Sequence, residues 1–148
     1  MITKFKDLEH HQFYEGMIRM THSHTDPYRQ ALFYLLGLTE QTRSHVRDLY
    51  DFDENSICLE GLNKGWQTSS TIKLTRLAFN LYNGYSGDED RDAARNYSPY
   101  FLFDTHLLPY FFEAAKLRYP EYANLHAYDF IDVPTVVADN RVDYDLEH

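Results

Sequence analysis

The stretch from Leu59 to Tyr85, LEGLNKGWQTSSTIKLTRLAFNLYNGY, restricts the possible folds more than any other part of the chain. In its second half Leu74, Leu77, Ala78, Leu81 and Tyr85 recur at helical spacing and stack an apolar stripe on one side. Thr68, Ser69 and Ser70 offer side-chain oxygens to the free N–H groups at the start, and Asn83-Gly84 supplies a left-handed stop. Gly61 and Gly65 punctuate a turn that delivers Trp66 to the helix start. A helix this apolar on one side has to be covered, so it is predicted to form the central wall of a core.

The rest of the chain supplies what packs against that wall. Asp7 caps a helix predicted to reach Thr21, with His10, Phe13, Tyr14, Met17 and Ile18 on its inner face. Asp26-Pro27 reads as an N-cap followed by a first-turn proline, opening a helix from Tyr28 to Leu36 that is apolar nearly all round and stops at Gly37. Thr39 opens a third helix to about Tyr50, with Thr42, His45, Val46 and Leu49 inward. Ser98-Pro99 again reads as cap plus proline, Pro109 predicts a break near His106 to Leu108, and a last helix runs from about Pro109 to Arg118. The expected fold is all-α, a single compact bundle of about five helices with long connecting loops. Residues 1–127 form the helical domain and 128–145 an acidic C-terminal arm, while Leu146-Glu147-His148 reads as the remnant of an expression tag.

Charge and cysteine usage narrow the function classes. A formal net charge of -9 argues against duplex binding, which needs clustered Lys and Arg, and favours basic grooves on other proteins. The single cysteine excludes an internal disulfide and fits a reducing cytoplasm. No apolar run approaches a membrane span, and the N-terminus has no signal-peptide core. Catalytic signatures are missing too: there is no His-Glu-x-x-His, Cys-x-x-Cys, phosphate loop or Gly-x-Ser-x-Gly elbow.

Two constellations remain. His10 and His45 point inward from different helices, Asp48 follows His45 by one turn, and Cys58 comes next on the connecting segment. Together they are candidate ligands for a structural zinc, against the plainer expectation of core histidines with hydrogen-bond partners. The loop pair His22 and His24 is a weaker rival because its neighbours do not converge. The second constellation is acidic: Asp51, Asp53 and Glu54 in one loop, and Asp88, Glu89 and Asp90 in another. Such runs are commonly solvated loops; as a functional surface they would imitate a phosphate track.

Five segments carry a resemblance: ALFYLLGL (Ala31 to Leu38), His45 with DLYDF (Asp48 to Phe52), EGLN-GWQT (Glu60 to Thr68), TRLAFNLYNGY (Thr75 to Tyr85) and PYFFEAAKLRYPEY (Pro109 to Tyr122). Over roughly residues 5 to 122 the chain resembles a family of small uncharacterised proteins of Gram-positive bacteria, their phages and mobile elements. The resemblance implies histidine at the positions of His10 and His45 but not a matching Cys58. In style it is also similar to phage anti-CRISPR proteins, which implies a partner: a host type II CRISPR effector nuclease, bound directly so that nucleic-acid loading is blocked in the host cytoplasm. No catalytic role is expected. The alternatives are a small metal-dependent hydrolase, or a structural or regulatory phage protein.

Overall fold

The structure is a computed structural model that describes residues 2–87, 93–123 and 130–135. Among the described residues it holds eight α-helices, two 3₁₀ turns and one two-stranded sheet. The four helices longer than one or two turns are α1 (Leu8–Thr21), α2 (Pro27–Leu36), α5 (Ser69–Asn83) and α7 (Leu108–Arg118). Short helices α3 (Glu40–Ser44), α4 (Val46–Leu49), α6 (Pro99–Leu102) and α8 (Pro120–Ala123) link them. The expectation of about five helices therefore holds as mostly helical, with a small hairpin of β1 (Tyr50–Asp51) and β2 (Ser56–Ile57) added. None of the helices among the described residues is long and apolar enough to cross a membrane.

The long helices start and stop as their caps dictate. The Asp7 carboxylate accepts the His10 N–H at 2.8 Å, and Asp26 accepts from Tyr28 and Arg29 at 3.0 and 3.2 Å. Ahead of α5, Thr68 Oγ1 accepts the Thr71 N–H at 3.2 Å while Thr71 Oγ1 accepts the Thr68 N–H at 2.7 Å, a reciprocal cap. Gly84 closes α5 at φ 83, a left-handed conformation that favours glycine. Ser98 does not cap α6; its hydroxyl donates back to the Arg95 carbonyl at 2.8 Å.

The core is built on α2. Ala31 through Leu36 are all fully buried, because α1, α5 and α7 pack around this one helix. Leu74, Leu77, Ala78 and Phe79 of α5 bury against it, together with Phe111 and Ala114 of α7. So α5 is one wall and α2 the axis. Leu81 and Tyr85, expected on the same stripe, are only partly buried at the core's edge.

The predicted third helix is broken. His45 sits at φ -110, ψ 23 between α3 and α4, and the chain turns into β1 at Tyr50. Pro120, expected to end the last helix, ends α7 and also opens α8. Of the predicted C-terminal arm only residues 130–135 are described, and they adopt no regular structure.

The N-terminal segment is strapped over α2 by the Tyr34 hydroxyl, which donates to the Lys4 carbonyl at 2.6 Å, and by the Lys6 ammonium, which donates to the Leu38 carbonyl at 3.2 Å. Phe5 lies under this strap against His10, Tyr14 and Tyr34, with ring centroids 5.1, 5.3 and 5.6 Å apart.

Candidate functional site: a braced acidic hairpin

The first acidic loop is a β-hairpin with its ladder pairs at Tyr50 with Ile57 and Asp51 with Ser56. Local chemistry explains the turn. Asp51 Oδ1 accepts the Asp53 and Glu54 N–H groups at 2.9 and 3.1 Å, an Asx turn, and Asn55 takes the left-handed φ of 56 that asparagine tolerates. Asp51 is therefore consumed by the turn, whereas Asp53 and Glu54 project into solvent.

Arg29 of α2 braces this hairpin from below. Its guanidinium donates to the Tyr50 hydroxyl (2.8 Å), Asp26 Oδ2 (2.8 Å), the Asn55 carbonyl (2.6 Å) and the Tyr82 hydroxyl (2.9 Å). The Tyr50 hydroxyl in turn donates to Asn55 Oδ1. Burial alone would make Arg29 easier to deprotonate; its hydrogen bonds to Tyr50 and Asp26 outweigh burial and hold its pKa above the usual arginine value. Burial likewise pushes the Tyr50 hydroxyl up, so it stays a neutral donor. An Arg29→Met variant should lose about 2 kcal/mol and loosen the hairpin first, because four acceptors lose a charged donor at a half-wet rim. Amide exchange measured by NMR should then accelerate at Asp53 to Ile57 more than in α5.

Phe52 forms the ridge of the hairpin. Its ring lies parallel to Phe33 at 6.4 Å and edge-on to Tyr50 at 5.0 Å, with the Arg47 guanidinium 5.8 Å away on its face. Clefts flank it on both sides, one lined by Arg47, Asp51, Asp53 and Cys58, the other by Met20, Thr21, His22 and Asn55. The result is a rigid acidic tip between two grooves.

The zinc expectation does not fit this arrangement. His10 is fully buried as predicted, but both ring nitrogens are taken: Nδ1 accepts the Lys6 N–H at 3.0 Å and Nε2 donates to the Tyr34 carbonyl at 2.7 Å. His45 stacks on Trp66 at 4.4 Å and donates from Nδ1 to the Gln41 carbonyl at 2.8 Å. Asp48 Oδ2 accepts the Trp66 indole N–H at 2.9 Å. An indole, which cannot ligate a metal, thus sits where His45 and Asp48 meet. Cys58 is half-buried, and burial first, then Asp51 and Asp48, push its thiol up and away from the thiolate a metal needs. Among the described residues no three His, Cys, Asp or Glu side chains converge as ligands. Asp88, Glu89 and Asp90, the other predicted acidic patch, lie outside the described residues.

Sequence reading missed the brace. Its signals were an arginine inside an otherwise apolar helix and a turn-rich run, Asp51 to Ser56, flanked by Tyr50 and Ile57.

Residues 1–129 match the model of a family of unknown function (DUF6075), and the chain belongs to that family. Neither the curated proteins nor the solved structures give a match.

Proposed function

We propose, within a family whose own role is unassigned, that this chain works by binding another protein, as an inhibitor of the anti-CRISPR kind, with the acidic hairpin tip as its contact. What supports this reading most is the preorganisation of that tip. Asp53 and Glu54 are held out by an Asx turn, an arginine brace and a buried tyrosine, so docking them costs little ordering entropy. Phe52 and Met20 add apolar contact beside the charges, on the rims of two otherwise polar grooves.

The partner chemistry follows from charge. A chain of net charge -9 is steered toward basic surfaces and away from phosphates. CRISPR effector nucleases hold their guide and target in positively charged channels, where a rigid acidic wedge competes with nucleic acid. Such an inhibitor acts in the host cytoplasm and needs no chemistry of its own.

The reading is tested by reversing only the projecting charges. Asp53→Lys with Glu54→Lys should weaken capture of a type II effector nuclease by roughly tenfold or more and flatten its salt dependence. Asp51 is left intact, since reversing it would break the turn and confound the result. Wild-type affinity in the double variant would remove the hairpin from the interface.

A further inference from the structure

The segment Lys4 to Lys6 is held to the bundle without a single helix or sheet bond of its own. Four hydrogen bonds tie it to α1, α2, α7 and the turn after α2. The Lys4 N–H donates to Glu113 Oε1 at 3.3 Å, and the Lys4 carbonyl accepts from the Tyr34 hydroxyl. The Lys6 ammonium donates to the Leu38 carbonyl, and the Lys6 N–H donates to His10 Nδ1 at 3.0 Å. The last of these cannot survive a proton on its acceptor. An imidazolium carries N–H on both nitrogens, so Nδ1 would face the Lys6 N–H donor to donor.

The ring cannot turn away from that conflict. Nε2 donates to the Tyr34 carbonyl at 2.7 Å, and Cδ2 lies so near Gly37 that a Cβ there would stand 2.8 Å from it. The strap can move: Phe5 is only half-buried, and the bond from Lys4 to Glu113 is exposed. Lifting it wets Nδ1 and leaves the Nε2 bond made. Global unfolding reaches the same proton only by exposing Ala31 to Leu36, all fully buried. The local route is the cheaper one.

The groups around the ring fit this division. Burial opposes the proton most; the Tyr34 bond and Asp7 favour it, while Arg43 of α3 and Lys6 of the strap oppose it. Tyr14 and Tyr34 face the ring as neutral phenols, since burial holds both hydroxyls above their ordinary range. His11 lies 4.7 Å from the Phe5 ring, where added charge strengthens the contact rather than loosening it. Glu113 of α7 can accept the Lys4 N–H with or without a proton of its own.

We infer that Lys4 to Lys6 is a proton-released strap: one proton on His10 Nδ1 frees the segment while the helical bundle stays folded. Release bares the Phe5 ring together with its seat on His10, Tyr14 and Tyr34. The closed form is favoured fully above pH 6.5, the ordinary histidine value. Below it the ratio of open to closed rises about tenfold per pH unit, the linkage of a single proton.

Amide exchange on the full chain, followed from pH 7 to pH 5 and divided by each residue's intrinsic rate, measures that ratio. At Lys6 it should exceed the ratios at Leu35 and Ala78 by at least about a hundredfold throughout. It should also climb about tenfold per pH unit below 6.5. His10→Gln should keep Lys6 protected at neutral pH and abolish the climb. If that variant does not fold, the wild-type ring decides: the nitrogen chemical shift of His10 Nδ1 should move toward its protonated position in step with the open fraction. Lys6 exchanging no faster than Leu35 would overturn the strap, because release would then need the whole domain to unfold. So would a climb that persists in His10→Gln, or a ring that titrates out of step with release.

Discussion

A Gly61→Ala variant should lose about 3 kcal/mol of stability, at the upper end of what one added methyl costs in a tight core. The reason is close approach. Gly61 is buried in the 3₁₀ turn Leu59–Asn63, which packs against α4. A Cβ there would stand 2.5 Å from the Asp48 carbonyl oxygen and 2.6 Å from Leu49 Cδ2. The first obstacle is backbone and has no rotamer to move into. Relief requires shifting α4, and with it the Asp48 carboxylate that holds Trp66 and the Cys58 N–H bond to the Leu49 carbonyl. Gly65→Ala is the control: open space surrounds that position, so its stability should stay within about 0.5 kcal/mol of wild type. Urea unfolding of the three proteins decides the matter. Equal midpoints for Gly61→Ala and Gly65→Ala would show that the turn yields without strain.

The second large effect belongs to His10. Its two hydrogen bonds require the neutral ring with the proton on Nε2, since the Tyr34 carbonyl can only accept and the Lys6 N–H can only donate. Adding a proton to Nδ1 would set two donors against each other inside a buried aromatic cluster. Burial accordingly holds the His10 pKa below its ordinary value of 6.5, against a smaller raising effect of the Tyr34 bond. The sign follows from linkage. As pH falls through 6.5 the unfolded chain takes up a proton at this position and the folded chain does not, so stability drops. The contribution is complete above that value and is lost progressively below it, until the lowered folded-state value is reached. Thermal midpoints should therefore decline from pH 7 to pH 5, before most carboxylates titrate. His10→Gln keeps a donor and an acceptor without titrating, and should flatten that decline. His10→Ala should cost about 3 to 4 kcal/mol at pH 7, combining a cavity with two buried backbone groups left unpaired. An unchanged slope in His10→Gln would assign the acid sensitivity elsewhere.

The parts of this fold that could be read from sequence are those whose cause is local. Asp7, Asp26 and Thr68 mark helix starts through their own hydrogen bonds, and the spacing of apolar residues told which faces of α1, α2 and α5 turn inward. The short helices were harder. One or two turns cannot persist alone, so α4, α6 and α8 depend on tertiary contacts that no local pattern encodes. The break at His45 is such a case: Thr42 and Leu49 face the core on either side of it, as one continuous helix would also have placed them. The geometry of the described residues does not favour the metal expectation, for a related reason. Periodicity identifies the side of the helix that carries His10, but says nothing of what its two nitrogens meet. Those partners are the Lys6 amide and the Tyr34 carbonyl, main-chain groups that every sequence has. For the acidic hairpin, the residues Asp51, Asp53 and Glu54 were visible, while the division between one carboxylate that builds the turn and two that leave it required geometry.

The stacking of His45 on Trp66 has a spectroscopic consequence. Trp66 is the only tryptophan, so selective excitation reports one place in the molecule: the junction of α4 with the 3₁₀ turn, away from the aromatic cluster around His10. The Trp66 emission should change abruptly only where the α4 junction opens. Comparing its midpoint with that of far-ultraviolet dichroism, which weighs all the helices, tells whether this corner of the domain melts with the rest or ahead of it.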